Sequence, residues 1–242
     1  MTFEQIVTLQ RKENPDKRVF PFIFNQKKYW LKQVEKLSGG MRLLKFNPKK
    51  ALQRELSALQ YLNQRQAPIA KVVAYGEDYF VTEDVGTGVD DWLKKPISVA
   101  QKQRILCDSA KALAQLHQQQ LTHGRPALRD ITWQAEKVYF IDFETVCLKS
   151  NSPTQLNKRK IRDILVFIHS LFLKQLDITI IQQTMQAYCQ AGGMDNWLAT
   201  KDYLHHYRGI YYFLNLCKPI ARSDLIAILQ LFEFVLKKSN NQ

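Results

Sequence analysis

Two carboxylates beside an apolar run define the chemistry this sequence offers. Asp142 follows Tyr139-Phe140-Ile141 and is read at a strand terminus, pointing out of the core. Asp130 lies twelve positions earlier, across an expected hairpin. Magnesium takes oxygen ligands, typically one or two carboxylates completed by phosphate oxygens. The two aspartates therefore read as a magnesium site. The competing reading is a pair of turn residues accepting backbone amides. Just upstream, His123-Gly124-Arg125 opens a turn-like stretch that runs to Asp130. Much earlier, Lys32 ends the run Tyr29-Trp30-Leu31, and Glu55 sits on a helical stretch that follows. A strand lysine can hold phosphate oxygens if a glutamate keeps its ammonium in place. Lys28 and Lys45 are rivals for that role, and the plain alternative is an exposed lysine with a solvated glutamate.

Several elements must position these groups. Residues 19–34 read as a hairpin: Phe20, Phe22 and Phe24 alternate, a polar turn follows at Asn25-Gln26-Lys27-Lys28, and an aromatic run returns. Ser38-Gly39-Gly40 is expected to be a loop. Pro48 opens a helix over 49–64 with Leu52, Leu56, Leu59 and Leu62 on one face. Strands are expected at 71–75 and 79–82, and Val85-Gly86-Thr87-Gly88 as a connector. Ser98 caps a helix to Gln120, its core face Leu106, Ala110, Leu113 and His117. Asp90-Asp91 either starts a helix at Trp92 or touches a ribose. Residues 151–160, basic and Asn-rich, read as an exposed loop. Helices follow over 160–174 and 179–190, the latter ended by Gly192-Gly193. The aromatics Tyr207, Tyr211, Tyr212 and Phe213 read as a core stripe, and His205-His206 as a helix face near a core. Ser223 caps a last helix. Strands first and helices after indicate an α+β architecture. Lobes at 1–85 and 86–242 are expected to leave a ligand cleft between them.

Composition narrows the classes. A chain of 242 residues buries about 70–75% of its unfolded surface and needs no disulfide or metal to fold. Its four cysteines form no CxxC, which argues against structural zinc and a disulfide framework. A reducing cytoplasm fits. The N-terminus has no secretory pattern, and the apolar run Ile164 to Ile168 stops at His169, too short for a bilayer. A net charge of +13 implies an anionic partner: nucleotide, phosphorylated substrate, acidic lipid or nucleic acid. The bland reading is a well-dispersed basic protein. A nucleic-acid binder needs exposed aromatics beside the charge, and these aromatics are read as buried, which ranks that class low. No Gly-x-Ser-x-Gly occurs, so nothing suggests a serine hydrolase.

Lys32, Glu55, His123, Asp130, Asp142-Phe143-Glu144 and Arg162-Asp163 occur in the order of the protein-kinase-like superfamily. From about residue 19 to the last helix, the chain most resembles bacterial lipopolysaccharide-core sugar kinases, the 3-deoxy-manno-octulosonic-acid kinase group, and their uncharacterised relatives. The resemblance implies a bilobal fold, with a small antiparallel-sheet N-lobe holding one helix and a mainly helical C-lobe. It implies ATP and magnesium as cofactors. Lys32 and Glu55 would position phosphates, and Asp142 would bind magnesium. Asp130 would stand where the family has a metal-binding Asn, and Asp163 would brace the loop at His123. The segment Phe80 to Gly86 resembles an inter-lobe hinge, where backbone groups of Glu83 and Val85 would meet adenine; the alternative is an ordinary strand end.

The departures are specific. Arg125 stands where the family carries its catalytic Asp, and no glycine-rich phosphate loop occurs in Pro21-Phe22-Ile23-Phe24-Asn25-Gln26-Lys27. A general base contributes about 10²–10⁴-fold. Phosphoryl transfer rests mostly on positioning and charge, so its loss need not abolish activity. Asp130 is then the candidate proton acceptor, and Arg125 a grip for a phosphate or acidic sugar. The alternative is a pseudokinase that binds nucleotide or a partner without transfer. Asp163 follows Asp142 by only 21 positions, too few for an activation segment that docks a peptide. A hydroxyl of a sugar or glycolipid is the expected acceptor, met by a cytoplasmic protein in peripheral contact with an anionic inner membrane face. Lys149, Lys158, Arg159 and Lys160 rim that interval and are expected either to attract the acceptor or to face solvent.

Overall fold

Alternation builds the first sheet. The computed structural model describes residues 1–34, 48–143 and 152–236. The Ser38-Gly39-Gly40 loop, Lys45, Glu144 and Lys149 lie outside them. The chain divides into two units, Met1–Gly86 and Thr87–Gln242. It is α+β: a small antiparallel sheet near the N-terminus and a mostly helical remainder.

The first unit begins with α1 (Phe3–Glu13), then β1 (Val19–Phe24) and β2 (Lys27–Gln33). Next come α2 (Pro48–Gln64), β3 (Val72–Tyr75) and β4 (Tyr79–Glu83). The strands order as β1-β2-β4-β3, all antiparallel. The β1–β2 turn has two residues, Asn25 and Gln26, with φ of 47° and 62°, as a two-residue turn matching the strand twist requires. On one sheet face Phe20, Phe22, Leu31 and Val81 bury against Val7 of α1, with Phe3 and Tyr29 at the edge. Burying one such side chain contributes about 1.5–3 kcal/mol. Besides the expected helix α2, the unit thus holds α1, closed by a capping box in which Thr2 Oγ1 accepts from Gln5 N and Gln5 Oε1 accepts from Thr2 N. In α2 the buried residues include Leu52, Leu56, Leu59 and Leu62, the leucine face that the spacing requires.

The second unit runs β5 (Thr87–Gly88), α3 (Val89–Lys94), α4 (Val99–Gln118), β6 (Ile131–Gln134), β7 (Lys137–Phe140) and α5 (Pro153–Leu173). It continues with α6 (Ile178–Tyr188), α7 (Met194–His206), α8 (Arg208–Leu216) and α9 (Ser223–Leu236). A second sheet, β5-β6-β7, carries the loop that precedes it. Thr87-Gly88, expected as a connector, pairs with Thr132 and Trp133. In α4 the side chains of Leu106, Ala110, Leu113 and His117 are fully buried, and Ser98 caps it by accepting from Gln101 N.

Four expectations fail here. Residues 153–160 are helix, not loop: Ser152 accepts from Gln155 N and Pro153 supplies the first turn, a cap signal that outweighs the basic composition. Lys160 is not on a basic rim; its side chain is buried, its Nζ donates to Gln120 Oε1 at 2.9 Å, and burial lowers its pKa. The aromatic stripe is not core, because α8 buries none of its residues, and His205 and His206 are likewise exposed. Helical spacing marks which residues share a face but not whether another element covers it.

Candidate active site

Lys32 and Glu55 meet in the first unit. Leu31 faces the α1 side of the sheet, so Lys32 faces the other side, toward α2. There its Nζ lies 2.5 Å from Glu55 Oε1, and both side chains are mostly buried. The rival Lys28 is spent elsewhere: it pairs with Asp84 at 3.1 Å and lies over the Trp30 ring. Glu83 ends β4 with its N–H bonded to Lys71 O, and Val85 follows two residues later.

In the second unit the polar core is built around Asp163 of α5, which is fully buried. Its Oδ2 accepts the backbone N–H of His123 at 2.7 Å and its Oδ1 that of Gly124 at 2.8 Å. The same Oδ2 lies 3.3 Å from His117 Nε2, and His117 Nδ1 lies 2.7 Å from the Tyr188 hydroxyl. Burial raises the Tyr188 pKa, so the phenol keeps its proton beside that ring. Tyr188 is held close by glycine: a Cβ at Gly193 would come within 2.2 Å of its ring. The sequence places His117 only on a core face and does not single out Tyr188. A polar residue recurring on an otherwise apolar face was the available signal.

His123 carries the bracing onward. Its Nδ1 accepts from Arg125 N at 3.2 Å and its Nε2 donates to Ile141 O at 2.9 Å. Burial holds its pKa below the ordinary value, so it stays neutral in this tautomer. Its ring also packs on Phe143, centroids 4.4 Å apart. Phe143 is buried whereas Asp142, immediately before it, is exposed. Asp142 has φ of 60°, the left-handed region that Asp adopts more readily than most residues. Such backbone costs about 1–3 kcal/mol and persists only where its surroundings fix it. Here the strand end is fixed on both sides, by His123 and by Ile141 N, which donates to Asp130 O at 2.9 Å.

Asp130 therefore sits beside the strand end that carries Asp142. Its carboxylate is buried, with Arg129 Nε 3.6 Å from Oδ1. Arg125 is half-buried in the same loop. Asp90 and Asp91 both pair with Lys94, and Asp90 also with Lys174, which identifies them as first-turn residues of α3. Among the described residues no three His, Cys, Asp or Glu side chains gather as a metal cluster. A magnesium ion completed by phosphate oxygens needs only one or two carboxylates, and Asp142 with Asp130 supplies hard oxygen donors of that kind.

The residues matching a known family extend across both units: residues 18–188 match the Lipopolysaccharide kinase (Kdo/WaaP) family. The chain belongs to the lipopolysaccharide kinase family. An uncharacterized protein of Haemophilus influenzae is 44% identical over 241 residues, covering 97% of this chain and 95% of that protein. The family-matched span holds Lys32, Glu55, Glu83, Val85, His123, Arg125, Asp130, Asp142 and Asp163, while α7, α8 and α9 lie beyond it. Among the described residues of this lipopolysaccharide kinase family chain, no helix is long and apolar enough to cross a membrane.

Proposed function

We propose that the protein is an ATP- and magnesium-dependent phosphotransferase that phosphorylates a hydroxyl of a sugar or lipopolysaccharide-type glycolipid, not a protein. Family membership supports phosphoryl transfer, and the observation that carries the reading is the pairing of Lys32 with Glu55. Lys32 takes nucleotide phosphate oxygens, with Glu55 fixing its ammonium. Backbone groups of Glu83 and Val85 take the adenine edge. Asp142 is the carboxylate for a single magnesium ion, which when bound neutralises charge on the phosphates, so that Asp130 beside it is kept for the proton.

In the transfer, the acceptor hydroxyl oxygen forms a bond to the γ-phosphorus. The bond from that phosphorus to the β–γ bridging oxygen breaks, and ADP leaves. Asp130 takes the hydroxyl proton in place of the family's base, whose position holds Arg125. Arg125 grips an anionic group of the acceptor. The short interval from Asp142 to Asp163 leaves no platform for a peptide. The site works on the cytoplasmic side, with the protein in peripheral contact with an anionic membrane.

An ADP-release assay with soluble sugar acids and deacylated lipopolysaccharide as acceptors tests this. Acceptor-dependent ADP release that falls in Asp130→Asn is expected. ATP binding without acceptor-dependent turnover would contradict it.

A further inference from the structure

We propose that α8 and the turn after it, Lys218–Ile220, form a docking surface for an anionic lipid bilayer. Tyr212, Phe213, Leu216 and Ile220 are 64%, 67%, 79% and 82% exposed, far above what isolated surface apolar residues explain. Among the described residues only one edge of α8 is packed: Tyr211 donates to Glu233 Oε1 at 3.2 Å and its ring lies 5.9 Å from that of Phe232. Tyr212, Phe213 and Leu216 lie around the helix from that edge. A Cβ on Gly209, on the same arc as Leu216, would meet none of the described residues within 4 Å.

Charge selects the occupant. Arg208, Lys218 and Arg222 are exposed along the segment, and no Asp or Glu occurs between Tyr203 and Arg222. Aromatic and aliphatic residues on one arc with flanking cations are the composition of a helix lying in a membrane interface. Each cation near an anionic leaflet strengthens binding by about fivefold. A two-fold pairing of this surface with itself would bring like charges together, which disfavours a second copy. The surface lies outside the family-matched span 18–188, which holds the groups assigned to phosphoryl transfer. The inference deepens the membrane contact proposed above and rests on it. Its test contains no nucleotide, so failure here leaves the phosphotransferase reading standing.

The experiment is co-sedimentation of the full chain with phosphatidylcholine vesicles, with and without phosphatidylglycerol. The native protein should bind phosphatidylglycerol vesicles, weaken as salt rises, and bind phosphatidylcholine alone poorly. F213E/L216E should bind at least about tenfold more weakly with an unchanged melting temperature. Gly209→Glu, placed in open space, gives a second variant with the same expected loss. Binding of both variants equal to the native chain would overturn the proposal. So would no binding to phosphatidylglycerol vesicles, or a native dimer that F213E/L216E converts to monomer.

Discussion

Asp163 on α5 holds the backbone N–H of His123 at 2.7 Å, tying the loop before β6 to the helical core forty residues further on. His123 in turn holds Ile141, and Phe143 packs on its ring. The exposed Asp142 is thus positioned by a buried carboxylate that does not itself face solvent.

Replacing Asp163 should therefore disturb more than stability. Asp163→Ala leaves two buried N–H groups without an acceptor, at about 1–3 kcal/mol each. Urea denaturation should show the loss. At temperatures where the variant remains folded, its affinity for Mg·ATP should also fall. A stability loss with native nucleotide affinity would mean that the chain from Asp163 to Asp142 is structural only.

His123 gives a pH signature. Its folded pKa lies below the ordinary 6.5 because burial disfavours the charged ring. The unfolded chain takes up the proton first, so this contribution to stability is complete above about pH 6.5 and declines as pH falls below it. The slope from one such group reaches at most about 1.4 kcal/mol per pH unit. Urea midpoints of the native chain should drop between pH 6.5 and 5.5, and His123→Gln should flatten that drop. Equal slopes in both proteins would refute a neutral buried His123.

The Lys32–Glu55 pair should behave as a coupled unit. Lys32→Met leaves a mostly buried carboxylate without its cation, costing about 1–3 kcal/mol. Removing both charges, Lys32→Met with Glu55→Leu, should recover much of that cost. Phosphoryl transfer should be lost in both by about 10²–10³-fold, the effect of removing one preorganised charge from a reacting site. A double-mutant cycle by denaturation, run beside the ADP-release assay, separates the two effects.

Tyr188→Phe probes the far end of the polar core. It removes the hydroxyl partner of His117 Nδ1 and should cost about 1–3 kcal/mol, as for any buried polar atom left unpaired. Its effect on turnover should be smaller than that of Asp163→Ala, since both backbone N–H bonds to Asp163 remain.

The elements that periodicity governs were legible in the sequence. The alternation of Phe20 and Phe22 and the leucine face of α2 needed only residue spacing. Ser98 was readable as a cap because a serine before an apolar period is a local signal, whereas Ser223 is itself the first residue of α9 and Arg222 O accepts the N–H of Ile226. Local composition misled at 153–160, where basic residues on the outer face of α5 resembled a loop. The exposure of Tyr212 and Phe213 was hidden because an apolar face is covered only if another element reaches it, and that depends on tertiary packing. Asp163 was placed by order along the chain, but its two backbone bonds, and the link from Tyr188 through His117, depend on residues far apart in sequence.

Isothermal titration of ATP into the native chain and Asp142→Asn, with and without magnesium, tests the central claim most directly. Asn adopts the left-handed backbone of Asp142 about as readily, so the fold should persist. The account predicts that magnesium tightens ATP binding to the native chain by at least about tenfold, and that Asp142→Asn abolishes this gain. Equal magnesium-dependent affinity in the two proteins would contradict it.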